Sequence, residues 1–348
     1  MRSRNESKRF AEAKSPPKLQ LRNKKLKALV TGASGFCGRY LSSYLLDKGY
    51  AVAGTYCRQR MSGALPGMAF HPLEMSDADQ VASLVRTERP DVVFHLAALS
   101  IPRLSWGDEV KTFEVNVAGT IHLLDALRRF APQTRFLMAS SVQVYGRAFR
   151  QGNAVRESDL IWPESPYAVS KAIAELACLD YYNRFGMCVI IARAFNHIGA
   201  GQGANLVLSD WSRQVALAEN DYGRRRLKTL KVGNLDARRQ FLHVADVVEA
   251  YELLIRNGNP GKIYNISLEK TDILRDYADR LVRSARVPLK IEVERQRFRR
   301  EDPHVMRGTS ARLRALGWKP RRTAFEALEE MLHDWRRKVA EETEKFKN

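Results

Sequence analysis

The chain has 348 residues and a formal net charge of +19 at pH 7, and 45% of its residues are hydrophobic. That length holds one large domain or two lobes sharing a core, and the composition excludes collagen-like, coiled-coil and wholly disordered chains. No apolar run approaches the roughly eighteen residues of a membrane span, and the basic N-terminus has no apolar segment behind it, so neither a spanning helix nor a secretory signal is expected. The four cysteines, Cys37, Cys57, Cys178 and Cys188, form no CxxC pair and show no metal-ligand spacing. They point away from a disulfide scaffold or zinc module and toward a reducing, cytoplasmic setting. Residues 1–27 hold ten basic residues against Glu6 and Glu12. Such a polar leader cannot bury enough surface to fold alone, so 1–25 reads as a disordered basic tail. The remainder is also basic, with runs at Arg224–Arg226 and Arg295–Arg300. Such runs suit an anionic ligand, although a solvated face is the commoner reading.

From Lys27 the pattern changes. KALVTGASGFCGRYLSSYLLDKG reads as an apolar strand, a glycine-rich turn and a helix with apolar residues at helical spacing. A second strand over Tyr50–Thr55 precedes a helix over Asp77–Arg86, and Asp91–Ala97 reads as a third strand. A long helix over Phe113–Arg129 leads to a fourth strand, Arg135–Ala139. A helix over Pro166–Phe185 then precedes a strand over Met187–Arg193. This alternation predicts an α/β fold: a Rossmann-type, doubly wound parallel sheet covered on both faces. Beyond Asn196 the pattern loosens toward a smaller α/β lobe. The expected division is 26–195 for the dinucleotide-binding domain, with 240–262 returning to it. Residues 196–239 and 263–338 then form the substrate lobe, and 339–348 a tail.

Thr31–Gly38 reads TGASGFCG, a TGxxGxxG pattern between strand and helix. In this context Gly32 makes the tight turn, Gly35 lets the backbone approach a pyrophosphate, and Gly38 lets helix and strand pack closely. The helix N-terminus presents free N–H groups to phosphate. An NAD site places an acid at the end of the second strand, on the ribose 2′-hydroxyl. No Asp or Glu occurs between Asp47 and Glu74, and the strand runs instead into Cys57-Arg58-Gln59-Arg60. A guanidinium there suits a 2′-phosphate, which favours NADP(H) over NAD(H).

Tyr167 and Lys171 form a YxxxK pair within ESPYAVSKAIAE. At i and i+4 they share a helix face, where an ammonium stabilises a phenolate and draws a tyrosine toward acid/base duty. Upstream, FLMASSVQVYG places Ser140 and Ser141 at the carboxyl edge of the sheet, where ligands of such folds bind. Ser140 reads as turn chemistry, and Ser141 as the hydroxyl that could meet a substrate oxygen. His95 reads as a packing residue, and His243 with Asp246 as helix-start structure.

The order TGxxGxxG, HLAA (His95–Ala98), Asn116, SSVQVYG and YxxxK resembles the extended short-chain dehydrogenase/reductase family. RAFNHIGAGQ (Arg193–Gln202), KVGNLDARRQFLHVADVVEAY (Lys231–Tyr251), GKIYNIS (Gly261–Ser267) and LGWKP (Leu316–Pro320) are similar to its GDP-mannose 4,6-dehydratase and GDP-4-keto-6-deoxymannose reductase branch. The resemblance covers about residues 26–338 and implies roles by position. Ser141, Tyr167 and Lys171 would be the catalytic set, with Lys171 also on the nicotinamide ribose. Gly32, Ser34, Gly35, Phe36, Cys37, Gly38 and Arg58 would hold the cofactor, with Glu74 and Met75 near its adenine. Leu96, Ala97, Ala98, Ala194 and His197 would line it. Ser141, Asn196, Arg239, Arg299 and Asp302 would hold the nucleotide-sugar, and a homodimer is expected.

Two departures from the branch matter. Dehydratases carry a Glu two residues beyond the catalytic Ser/Thr as the base for removing water, and this chain has Gln143, which cannot take a proton. Leu99 stands where Gln usually follows HLAA, close to the expected hexose site. The resemblance therefore implies NADPH-dependent reduction of a GDP-4-keto-6-deoxyhexose to a GDP-6-deoxyhexose of the GDP-rhamnose type, for polysaccharide synthesis. The alternatives are a 4-epimerase with retained NAD(H) and a non-catalytic cofactor sensor or nucleic-acid binder. No nucleic-acid-binding motif is visible, so specific nucleic-acid binding is not expected.

Overall fold

The computed structural model describes residues 25–57, 65–221, 228–298 and 303–345. The first half alternates strand and helix: β1 (Lys27–Thr31), α1 (Phe36–Asp47), β2 (Ala51–Tyr56), β3 (Ala69–Pro72), α2 (Ala78–Glu88), β4 (Val92–His95), α3 (Glu109–Phe113), α4 (Gly119–Phe130), β5 (Arg135–Ser141), α5 (Pro166–Phe185) and β6 (Val189–Ala194). The second half holds β7 (His197–Ile198), α6 (Val207–Asn220), β8 (Lys228–Val232), β9 (Arg238–Arg239), β10 (Leu242–His243), α7 (Val244–Asn257), β11 (Ile263–Ile266), β12 (Asp272–Ile273), α8 (Leu274–Ser284), β13 (Leu289–Val293), α9 (Ala311–Arg314) and α10 (Ala324–Lys345).

Seven strands form one sheet in the order β11-β6-β5-β4-β1-β2-β3, every neighbouring pair parallel. Its central strands are short apolar runs, as burial on both faces requires. On one face, Leu41 and Leu45 of α1 and Tyr251 and Leu254 of α7 pack over the sheet. On the other, Val81 of α2, Leu123 and Leu127 of α4 and Cys178 of α5 do so. A third core, around Trp211, Tyr277, Leu328 and Trp335, belongs to the second lobe. The strand order reverses between β1 and β4, and the crevice at their carboxyl ends is where doubly wound sheets bind ligands.

The structure departs from the sequence-based boundaries in four places. Ile263–Ile266 joins the main sheet beside β6, Ile263 opposite Ile191, so the returning segment runs past 262. It does so because β6 is buried along its whole length and needs a neighbour on that side. The helix expected over Phe113–Arg129 begins at Glu109 and is interrupted by a π turn over Glu114–Ala118. The third strand ends at His95, because the Ala97 amide turns aside to Thr31 Oγ1. The tail expected from 339 is instead the last part of α10, whose Val339 is buried in the second core. Most of the expected N-terminal tail, together with Arg58, Arg224–Arg226, Arg299 and Asp302, lies outside the described residues. Arg297, from the second basic run, is paired with Glu294 and Asp210.

Candidate active site

The loop from β1 to α1 is tied down from below. Gly32 has φ +71°, and its N–H donates to Thr55 Oγ1 of β2. A Cβ at Gly32 would come within 2.9 Å of the Ala97 backbone. At Gly38 a Cβ would lie 2.2 Å from the Gly32 carbonyl oxygen and 2.7 Å from Ala33 Cα. Both glycines are therefore required by contact with backbone, which cannot move aside as a side chain would. Gly35 is the N-cap of α1, with no side-chain cap and no acidic residue in the first turn. The N–H groups around Phe36, Cys37 and Gly38 thus form the positive helix end that anionic phosphate seeks. The Cys37 thiol is pushed up to about 12 by burial, so it stays protonated there.

At the far end of β2, Tyr56 stacks on Phe70, and Cys57 Sγ donates to Glu74 Oε2 at 3.3 Å. An acid does stand beside this strand end, supplied by the loop after β3. Burial works against its charge, but hydrogen bonds from Cys57 and Ser76 hold the Glu74 carboxyl below its usual range. Met75 is turned into the core, packed where Gly119 leaves room, so its side chain is structural. Phe36 stacks on His197, whose Nδ1 hydrogen-bonds with the Phe195 carbonyl; this joins the glycine-rich turn to the end of β6 beyond Ala194.

The Ser-Tyr-Lys set converges where β5 meets α5. Ser141 ends β5 and caps the following 3-10 turn, its Oγ accepting from the Gln143 N–H at 3.2 Å. Tyr167 lies in the first turn of α5, after Ser165 as N-cap and Pro166. It is buried and hydrogen-bonded to Ser141. The Tyr167 N–H donates to Ser105 Oγ, a fixing contact that no motif in the sequence signalled. Lys171, one turn on, donates from Nζ to the Ala139 carbonyl at 2.9 Å. Asn116 sits in the π turn, bonded to both the N–H and the carbonyl of Leu99 and to Ser170 Oγ. It ties the loop after β4 to α5.

The electrostatics differ from the sequence-based expectation. Burial pushes the Lys171 ammonium down to about 8, while Cys178 and Glu175 work against the push. Burial raises the Tyr167 phenol, opposed by its hydrogen bond with Ser141. The expected lowering of Tyr167 by Lys171 does not appear: desolvation sets the direction, and Ser141 is what opposes it. His95 is held between Thr31 Oγ1 and Thr120 Oγ1, a packing position as expected. His243 caps α7 through Nδ1, and Asp246 accepts the N–H groups of Arg321 and Arg322.

The residues expected to hold a nucleotide-sugar are brought together less clearly. Asn196 accepts the Leu242 N–H at its carbonyl. Arg239 is buried in β9, Nη1 donating to the carbonyls of Arg238 and His304. Serine, phenol and lysine at the carboxyl edge, beside a glycine turn open to pyrophosphate, make a site able to exchange a proton next to a bound dinucleotide.

The GDP-mannose 4,6 dehydratase family model matches residues 29–331. The chain is 36% identical to the GDP-6-deoxy-D-mannose reductase of Pseudomonas aeruginosa, over 90% of this chain and 98% of that protein. The structure of RMD from Pseudomonas aeruginosa complexed with NADPH superposes with a TM-score of 0.78 at 34% identity, covering 90% of this chain and 98% of that one. A putative epimerase from Burkholderia cenocepacia also superposes at 0.78, with 29% identity over 89% of this chain and 98% of that one. With the glycine turn and the Ser-Tyr-Lys set in place on a seven-stranded parallel sheet, these matches make the chain a member of the GDP-mannose 4,6-dehydratase family within the extended short-chain dehydrogenase/reductases.

Proposed function

We propose that this enzyme reduces the 4-keto group of a GDP-4-keto-6-deoxyhexose with NADPH, giving a GDP-6-deoxyhexose of the GDP-rhamnose type for polysaccharide synthesis. The observation that carries this reading is full-length similarity to a GDP-6-deoxy-D-mannose reductase. The NADPH bound in the similar solved structure supports the choice of cofactor. Gln143 supports reduction over dehydration, because an amide cannot serve as the base that removes water.

The glycine turn fits a dinucleotide: Gly38 lets α1 start tight against the Gly32 turn, and the first turn of α1 carries no capping side chain. Gly32, Ser34, Gly35, Phe36, Cys37 and Gly38 would hold the pyrophosphate, and Arg58 the 2′-phosphate. Leu96, Ala97, Ala98, Ala194 and His197 would line the nicotinamide half. The bound reduced nicotinamide supplies the hydride. Tyr167 gives its proton to the oxygen that becomes the hydroxyl. Ser141 accepts from the Gln143 N–H, which leaves its own O–H to point at that same oxygen. Lys171 brings positive charge into a water-poor site, where it favours the phenolate left behind. Asn196, Arg239, Arg299 and Asp302 are assigned to the nucleotide end, where guanidinium groups match the diphosphate.

A homodimer and a cytoplasmic location belong to the same reading. Ile121 of α4 and Ile173 and Leu176 of α5 are exposed apolar residues on neighbouring helices, which supports a face for a second copy. The four cysteines form no disulfide, in keeping with a reducing compartment. Among the described residues, no helix is long and apolar enough to cross a membrane.

The test follows NADPH absorbance as purified protein meets GDP-4-keto-6-deoxymannose. Prompt oxidation is expected, and Tyr167→Phe should lower it by about a hundredfold to ten-thousandfold. No oxidation, together with NAD(H) released only on denaturation, would replace the reductase with the epimerase.

A further inference from the structure

Tyr167, Lys171 and Glu175 stand at successive one-turn intervals on α5 and so share one face. Each meets the end of β5: Tyr167 at Ser141, Lys171 at the Ala139 carbonyl, and Glu175 at Ser140, whose Oγ donates to Oε1 at 2.5 Å. Ser140, expected from sequence to be turn chemistry, is therefore bound to a buried carboxylate. The same carboxylate takes a forked pair of bonds from Arg193 of β6, Nε to Oε1 at 2.9 Å and Nη2 to Oε2 at 2.6 Å. Arg193 is the register partner of Ser140, and Glu175 and Arg193 are 2% and 3% exposed.

A buried ion pair is weak evidence for stability, because apolar residues of similar volume commonly do as well. The placement of this pair, one turn beyond Lys171 and bonded to the residue beside Ser141, needs another reason. We propose that Glu175 is a positioning residue for proton transfer: through Ser140 it fixes the strand end that carries Ser141, and with Arg193 it sets the charge around Lys171. This rests on the reductase reading. The neighbours support it. On its own helix, Lys171 faces the Cys178 thiol and Glu175, and from β4 it faces His95, which burial keeps neutral. Glu175 is the carboxylate of this group, and it opposes the loss of the Lys171 proton that burial promotes. Arg193, on the far side, holds that carboxylate with its forked pair of bonds.

The experiment measures NADPH oxidation by the full chain across the alkaline limb of kcat, in wild type, Glu175→Gln and Ser140→Ala. Glu175→Gln keeps the shape and removes the charge. It should lower kcat about tenfold, leave KM within about twofold, and move the alkaline limb to lower pH by at least about half a unit. Ser140→Ala should lower kcat and leave the limb in place. A folded Glu175→Gln enzyme with the wild-type limb would overturn the proposal. Should that variant fail to fold around an unpaired Arg193, the double variant Glu175→Leu with Arg193→Met removes both charges at similar volume, and the same two outcomes apply to it. The carbon-13 resonance of the Lys171 ε-carbon, assigned by its loss in Lys171→Met, reads the titration without turnover. A midpoint lower in Glu175→Gln than in wild type is expected. An unchanged midpoint overturns the role of Glu175 whether or not the ketosugar is the substrate, whereas absence of NADPH oxidation in wild type overturns the reductase reading alone.

Discussion

His95 ends β4 with both ring nitrogens engaged, Nδ1 with Thr31 Oγ1 at 2.8 Å and Nε2 with Thr120 Oγ1 at 3.0 Å. Burial, with a smaller push from Lys171, lowers it from 6.5 to about 3. The unfolded chain therefore binds a proton between those values that the folded chain refuses. Stability from this site is complete above about pH 6.5 and is lost as pH falls toward 3. Thermal melts of wild type should fall more steeply between about pH 6.5 and 4 than those of His95→Gln, by up to about 1.4 kcal/mol per pH unit. Parallel slopes would show that the imidazole titrates normally. At this scale the sequence was informative wherever spacing dictates contact. Tyr167 and Lys171 share a face because a helix has 3.6 residues per turn, and Ser141 lies at a strand end. What spacing could not reveal were partners chosen in three dimensions: Ala139 for Lys171, Ser105 for the Tyr167 amide, and Arg193 for Glu175. Glu175 carried a faint signal, as the next residue on the Tyr167–Lys171 face.

Among the elements, α1 depends most on single atoms. Gly38→Ala would gain some helix propensity, but its Cβ must displace the Gly32 carbonyl or the Ala33 backbone. That strain should outweigh the gain, costing about 1–3 kcal/mol in stability and weakening NADPH binding in a fluorescence titration. Wild-type affinity in a folded Gly38→Ala protein would show that the helix can shift freely. The central strands were readable because both faces are buried and their residues are nearly all apolar. β3 was not, because this edge strand alternates weakly and none of its residues is fully buried. The π turn at Glu114–Ala118 keeps helical periodicity on either side, so the pattern conceals it. The end of α10 read as a polar tail because Met331, Trp335 and Val339 form only a thin apolar stripe among charges.

For the whole molecule, Ile121, Ile173 and Leu176 leave apolar surface on the α4–α5 side of the sheet. If a second copy covers it, Leu176→Glu should convert a dimer of about twice the chain mass into a monomer by light scattering. A wild-type monomer would remove the dimer from the proposal. The same helix carries Tyr167 and Lys171, so loss of the partner should also loosen the site.

The seventh strand of the sheet has a consequence for synthesis. β11 arrives at Ile263–Ile266, roughly seventy residues after its neighbour β6, with most of the second lobe's early elements threaded between them. On the ribosome, the nascent chain must therefore carry β6, a run of Val, Ile and Ala broken only by Arg193, with one side unpaired until the later strand emerges. Open apolar edges of this kind recruit other chains. A premature stop after residue 195 would leave that edge permanently open, and the fragment should be a sticky, chaperone-bound species instead of a small working nucleotide-binding domain.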